Sequence, residues 1–188
     1  MAGICTGALT SEVFMCKDVL IEQFEAELTL TRAVLTEVPS DDLAWKPHPA
    51  SFSIGRLAMH VGSIPGWIPA FTDADSYDMG AGGPGPSIPS SKDEVIDKFA
   101  DMSARGRASL AAVTDASLTT PWLLLRDGDV IARMTRAEAI SRYVVRHLVH
   151  HRGQLTVYLR LRDCVVPAVY GDSADRRLLP LTTMEHEA

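Results

Sequence analysis

Residues 135–161 read TRAEAISRYVVRHLVHHRGQLTVYLRL, and this stretch decides the fold. Thr135 and Glu138 have the spacing of a capping box, in which a hydroxyl and a carboxylate three residues apart satisfy backbone amides at a helix start. Beyond them Ile140, Val144, Leu155 and Tyr158 recur at helical spacing, so one apolar stripe runs along a helix to about Leu161. Only His147 and His151 interrupt that stripe. Each residue advances about 100° around a helix axis, so two side chains four residues apart point the same way, here toward the core. Burying two imidazoles needs compensation, because each neutral ring keeps one donor and one acceptor. A shared cation satisfies both acceptors at once. His150 falls with Arg146 and Gly153 on a more polar side; it ranks below His151 as a ligand and stays open as its alternative.

Working outward, Ser11 to Val38 carries Ile21, Phe24, Leu28, Leu35 and Val38 at three-four spacing, with Thr31 on the same stripe, and predicts a first helix closed by Pro39. The run from Trp45 to Pro49 contains two prolines and reads as a loop. Ser51 or Ser53 caps a second helix to about Ser63, with Ile54, Leu57, Val61 and Ile64 inward and Pro65-Gly66 marking an end or a kink. His60 shares the stripe of Leu57 and Ile64, which makes it the best candidate for a third ligand. His48, bracketed by prolines, and His186, near the last residue, read as solvated.

Thr72 to Ser90 is rich in Gly, Pro, Ser and Asp and reads as a long crossover. Ser91 and Glu94 open a third helix that buries Val95, Phe99, Met102, Leu110 and Val113 and ends near Thr114. Two short apolar runs, Trp122 to Leu125 and Val130 to Ile131, flank Asp127-Gly128, a dipeptide suited to a tight hairpin turn. The expectation is an all-α four-helix bundle over residues 1–188 as a single domain, with a long crossover between helices two and three and a short β-hairpin before helix four.

The chain of 188 residues is 46% hydrophobic and 22% charged, the balance of a globular protein. Its net charge of -6 argues against nucleic acid, whose nonspecific binding needs clustered Lys and Arg. Cys5, Cys16 and Cys164 are odd in number and far apart, which fits a reducing cytoplasm better than a disulfide framework. No apolar run approaches the roughly 20 residues of a membrane span, so neither a membrane span nor an anchor is expected.

His147-Leu-Val-His-His151-Arg152-Gly-Gln154-Leu-Thr-Val-Tyr158, followed by Val166-Pro167 and Tyr170 to Asp175, resembles the last helix and tail of the DinB-like (DinB/YfiT) superfamily. Trp45-Lys-Pro, the helix start from Ser51 to Ile54, and His60 extend the resemblance upstream. It implies a bundle with a long crossover, a centre of His60, His147 and His151 holding zinc or nickel, and a homodimer. His150, Arg152, Gln154, Tyr158 and Trp67 become candidates for supporting the ligands or touching a small-molecule substrate.

Three neutral imidazoles leave a coordination position open, as in catalytic rather than structural sites. The resemblance implies a thiol transferase, in which a low-molecular-weight thiol of the mycothiol or bacillithiol type attacks an electrophile. Arg146 and Arg152 are candidates for pairing with a carboxylate on that thiol, against the plainer reading of surface or bundle salt bridges. A metal-dependent hydrolase or isomerase is the alternative enzyme, with Asp73, Asp75 and Asp78 as base candidates. A non-enzymatic stress protein, holding a metal or small molecule among Trp67, Phe71, Tyr143 and Tyr158, is the other alternative.

Overall fold

The computed structural model describes residues 16–81 and 85–178, so the expected helix start at Ser11 lies outside the described residues. Helix α1 (Lys17–Thr36) buries Leu20, Phe24, Leu28, Thr31, Val34 and Leu35, with Ile21 at the edge of the stripe. Helix α2 (Ile54–Ser63) is capped by Ser53, whose Oγ accepts the Arg56 amide at 3.2 Å. Pro65 has no amide to give, and the chain tightens into a 3-10 turn over Ile64–Trp67 before a short α3, Pro69–Thr72.

Helix α4 (Lys92–Ala112) starts at Ser91, whose Oγ accepts the Glu94 amide at 3.2 Å. The Glu94 carboxylate reaches back one residue further than a capping box requires, taking the Ser90 amide at 2.7 Å and the Ser90 hydroxyl at 2.8 Å. A short α5, Asp115–Leu118, follows. A Cβ on Gly106 would lie 2.5 Å from the Pro65 carbonyl oxygen and 2.8 Å from Cζ of Phe24. Only glycine therefore lets α4 press against the 3-10 turn, and that turn carries Trp67.

The all-α expectation is corrected by a small sheet. Strands β1 (Ser76–Asp78), β2 (Pro121–Arg126) and β3 (Asp129–Thr135) lie in the order β1-β2-β3, with β1 parallel to β2 and β2 antiparallel to β3. The hairpin is the one Asp127-Gly128 predicts, with φ of 53° and 88° at the two turn residues. Strand β1 comes out of the crossover, and Asp78 fastens it. Its Oδ1 accepts the Gly80 and Asp127 amides at 2.8 and 2.9 Å, and its Oδ2 accepts the Gly128 amide at 2.8 Å. These bonds hold the Asp78 carboxyl below its usual pKa range, the Gly80 amide most of all. Trp122, fully buried, donates from Nε1 to the Ala70 carbonyl at 3.2 Å and ties the hairpin to α3.

The expected last helix is continuous but not uniform. It runs as α6 (Arg136–Ile140), a π-helical turn (Ser141–Val145) and α7 (Arg146–Leu161). Thr135 and Glu138 form the complete box: the Thr135 amide donates to Glu138 Oε2 at 2.7 Å and the Glu138 amide to Thr135 Oγ1 at 3.2 Å. The buried line along α7 is Leu148, Arg152, Leu155 and Leu159, while His147, His151 and Tyr158 sit half-buried beside it. The apolar members of the stripe read from the sequence, Ile140, Val144 and Leu155, lie in the core, and its two histidines and Tyr158 lie at the core's edge. Helices α4 and α7 each pack on both α1 and α2, so the long helices enclose one apolar cluster that continues into β2.

Candidate metal centre

His60 reaches the site from the last full turn of α2, and His147 and His151 from successive turns of α7. One ring nitrogen from each lies within 4.8 Å of the others. The ring centroids are 4.5 Å apart for His60 and His151, 4.6 Å for His147 and His151, and 5.3 Å for His60 and His147. His150 stands outside this group on an exposed face, its centroid 4.8 Å from that of His151. Trp67 closes one side, 5.5 Å from His60 and 5.2 Å from His147, and Phe52 flanks His60 at 6.2 Å.

All three rings are biased toward the neutral form that a cation requires. Burial lowers the His60 pKa from 6.5 to about 4, helped by the neighbouring charges of His151, His147 and Arg56. Burial is also the main cause of the lowered values at His147 and His151. Neighbouring groups orient two of the rings. His151 Nδ1 faces Gln154 Oε1 at 2.6 Å; an amide oxygen only accepts, so Nδ1 carries the hydrogen and Nε2 keeps its lone pair. The His147 ring bonds the backbone of Tyr143, within the π-helical turn, in the sense that raises its pKa, so the ring donates to the carbonyl. Its other nitrogen is left as an acceptor. A set of nitrogen donors oriented by such partners fits a divalent transition metal.

A family model described as the DinB family matches residues 14–177. The chain belongs to the DinB family. An uncharacterized protein of Bacillus subtilis (strain 168), YrdA, is 25% identical over 166 residues, covering 87% of this chain and 93% of its own. The crystal structure of a DinB-like protein from Bacillus cereus ATCC 10987 superposes with a TM-score of 0.65 at 24% identity, over 84% of this chain and 99% of the other, and supports the fold.

In this DinB protein several sequence candidates take other positions. Arg152 is 2% exposed and turns away from the histidines toward α1: its Nη1 lies 2.6 Å from Glu27 Oε2 and its Nη2 donates to Tyr170 Oη at 2.8 Å. The bundle salt bridge, the plainer of the two readings, is what its surroundings support. The Glu27 contact is close but off-axis, so it acts through charge more than as a hydrogen bond. Tyr158 packs edge-on against Trp45 at 5.9 Å. Arg146 is exposed on another face, beside Arg142 and Glu138. Asp75 pairs with Arg136, Asp73 accepts the Thr72 hydroxyl at 2.6 Å, and Asp78 is spent on the hairpin. His48 Nδ1 accepts the Ala50 amide at 3.2 Å on an exposed loop. His186 lies outside the described residues.

Beside the histidines opens a cavity of about 480 Å³, lined by Trp67, Phe71, Trp122, Tyr143 and His147 among others. That volume suits a small organic molecule. His147 belongs both to the triad and to the cavity wall, so the two features form one site. Sequence reasoning missed Phe52, Arg56 and Arg105 here. Arg56 stacks its guanidinium 4.4 Å over the Phe52 ring and bears electrostatically on His60.

Proposed function

We propose that this protein is a metal-dependent enzyme whose divalent cation, zinc or nickel, is held by His60, His147 and His151, and more specifically a thiol transferase. The observation that carries the reading is the double position of His147, at once a member of the triad and a wall of the apolar cavity. A divalent cation in such a site lowers the pKa of a bound thiol or water and yields a nucleophile near neutral pH. The residues of the chain do the rest: Gln154 and the Tyr143 carbonyl fix ring orientation, and Trp67 shields the His60 and His147 side.

A supplied thiol of the mycothiol or bacillithiol type is favoured over water for two reasons. Among the described residues the triad includes no carboxylate, and the crossover aspartates have other duties, which weakens the hydrolase or isomerase alternative. Cys16 and Cys164 are free cysteines outside the triad, and burial pushes the Cys164 thiol up, which favours a supplied thiol over Cys164.

The test is conjugation. Metal-loaded wild type should join a low-molecular-weight thiol to a model electrophile, and His151→Ala should not. Binding without consumption of either partner would favour the stress-protein reading, which the aromatic cavity walls also suit. No helix among the described residues is long and apolar enough to cross a membrane. We infer a cytoplasmic homodimer from the resemblance. Val157 and Leu161, each 57% exposed and one turn apart on α7, give a dimer an apolar strip to cover, and sedimentation at micromolar concentration tests it.

A further inference from the structure

Arg105, on α4, lines the same cavity as His147 and Trp67. Among the described residues it makes no hydrogen bond or ion pair, whereas Arg107, two positions on, is gripped by Glu25 at 2.6 and 2.7 Å. Among the described residues no other lysine or arginine lines the cavity. Its remaining walls are largely aromatic. At its rim Tyr77 and Met79 hold apolar side chains 44% and 46% exposed to water. Exposed apolar surface around a concave site marks a place where a ligand removes it from solvent. An unpaired guanidinium prefers a planar oxyanion, which it meets with two parallel hydrogen bonds.

We infer that the cavity takes a flat, apolar monocarboxylate as its substrate class, the carboxylate on Arg105 and the ring system against Trp67, Phe71 and Tyr143. This deepens the metal-enzyme reading and rests on it for the statement that the bound molecule is a substrate. The binding itself rests on Arg105 and the aromatic walls. A hydrophilic thiol that carries a carboxylate shares the anion but lacks the apolar body, so the walls favour the aromatic acid as the cavity's occupant and leave the thiol to the triad side of the site.

The test is calorimetric titration of the full-length protein, its metal content measured on the same sample, with 2-naphthoate, 2-naphthamide and N-acetylcysteine. Wild type should bind naphthoate roughly fivefold tighter than the amide, the upper range for a solvent-exposed ion pair, and any binding of N-acetylcysteine, which a metal-loaded triad would take through sulfur, should not depend on Arg105. Arg105→Gln should equalise acid and amide while leaving the amide's affinity unchanged, and Arg32→Gln, a control of the same charge change away from the cavity, should keep the preference. The inference is overturned if wild type does not discriminate acid from amide, if neither naphthalene binds, if Arg105→Gln retains the preference, or if N-acetylcysteine alone depends on Arg105. An Arg105-dependent preference in a wild type that binds no metal would sustain the carboxylate site and remove the enzyme reading. Loss of the preference in a metal-replete protein would remove the carboxylate site alone.

Discussion

His151 Nδ1 and Gln154 Oε1 meet at 2.6 Å across one turn of α7, and this contact decides which nitrogen of the ring is free. Replacing Gln154 by Leu removes the acceptor and lets the imidazole rotate and exchange tautomers. Metal affinity should fall about tenfold to a hundredfold, the usual cost of losing an outer partner of a ligating histidine. Competition against a chromophoric chelator reads the change, and thermal unfolding of the metal-free variant should match wild type.

Arg152 and Glu27 make the opposite kind of contact, structural and buried, with 2% and 13% of their side chains exposed. Arg152→Met strands a carboxylate inside the bundle, and the metal-free protein should lose about 3–5 kcal/mol in denaturant unfolding. Adding Glu27→Met should return most of that loss. A single variant as stable as wild type would mean that the pair contributes nothing.

Two helical glycines should respond oppositely to alanine. At Gly106 the new methyl meets the Pro65 carbonyl oxygen at 2.5 Å, so overpacking should cost about 1–3 kcal/mol and displace the turn that carries Trp67. At Gly153 a methyl would point into open space clear of every other element among the described residues, and the gain in helix propensity should stabilise the protein by up to about 1 kcal/mol. Urea midpoints of the two variants check both signs.

The histidines also set a pH dependence for the metal-free protein. Their folded pKa values are depressed, to about 4 at His60, so between that value and the unfolded value of 6.5 the unfolded chain binds more protons. Stability therefore rises with pH across this window and, for this contribution, is complete above it. Urea midpoints should fall as pH drops from 6.5 toward 4, and His60→Gln should flatten the slope. An unchanged slope in that variant would remove His60 as its source.

Much of this was legible in the sequence where one residue type has one physical use. Thr135 with Glu138, Asp127 with Gly128, and the two imidazoles set into an apolar stripe each pointed to the local structure found. What escaped depends on partners distant in the chain. Strand β1 has no alternation of its own and exists because Asp78 bonds a turn about 50 residues away. Whether Arg152 serves a thiol or a salt bridge is open in the sequence; its burial is set by Glu27 and Thr31 on α1. The π-helical turn leaves no mark in a 3.6-residue period, yet the His147 ring bonds the Tyr143 backbone within it.

The most direct measurement is the metal content of purified protein after exhaustive dialysis, wild type beside His60→Ala, His147→Ala and His151→Ala. Wild type should retain close to one equivalent of zinc or nickel per chain, and each variant, still folded by circular dichroism, should retain little. A wild type that takes up no divalent cation, or variants that hold it as tightly as wild type does, would contradict the account.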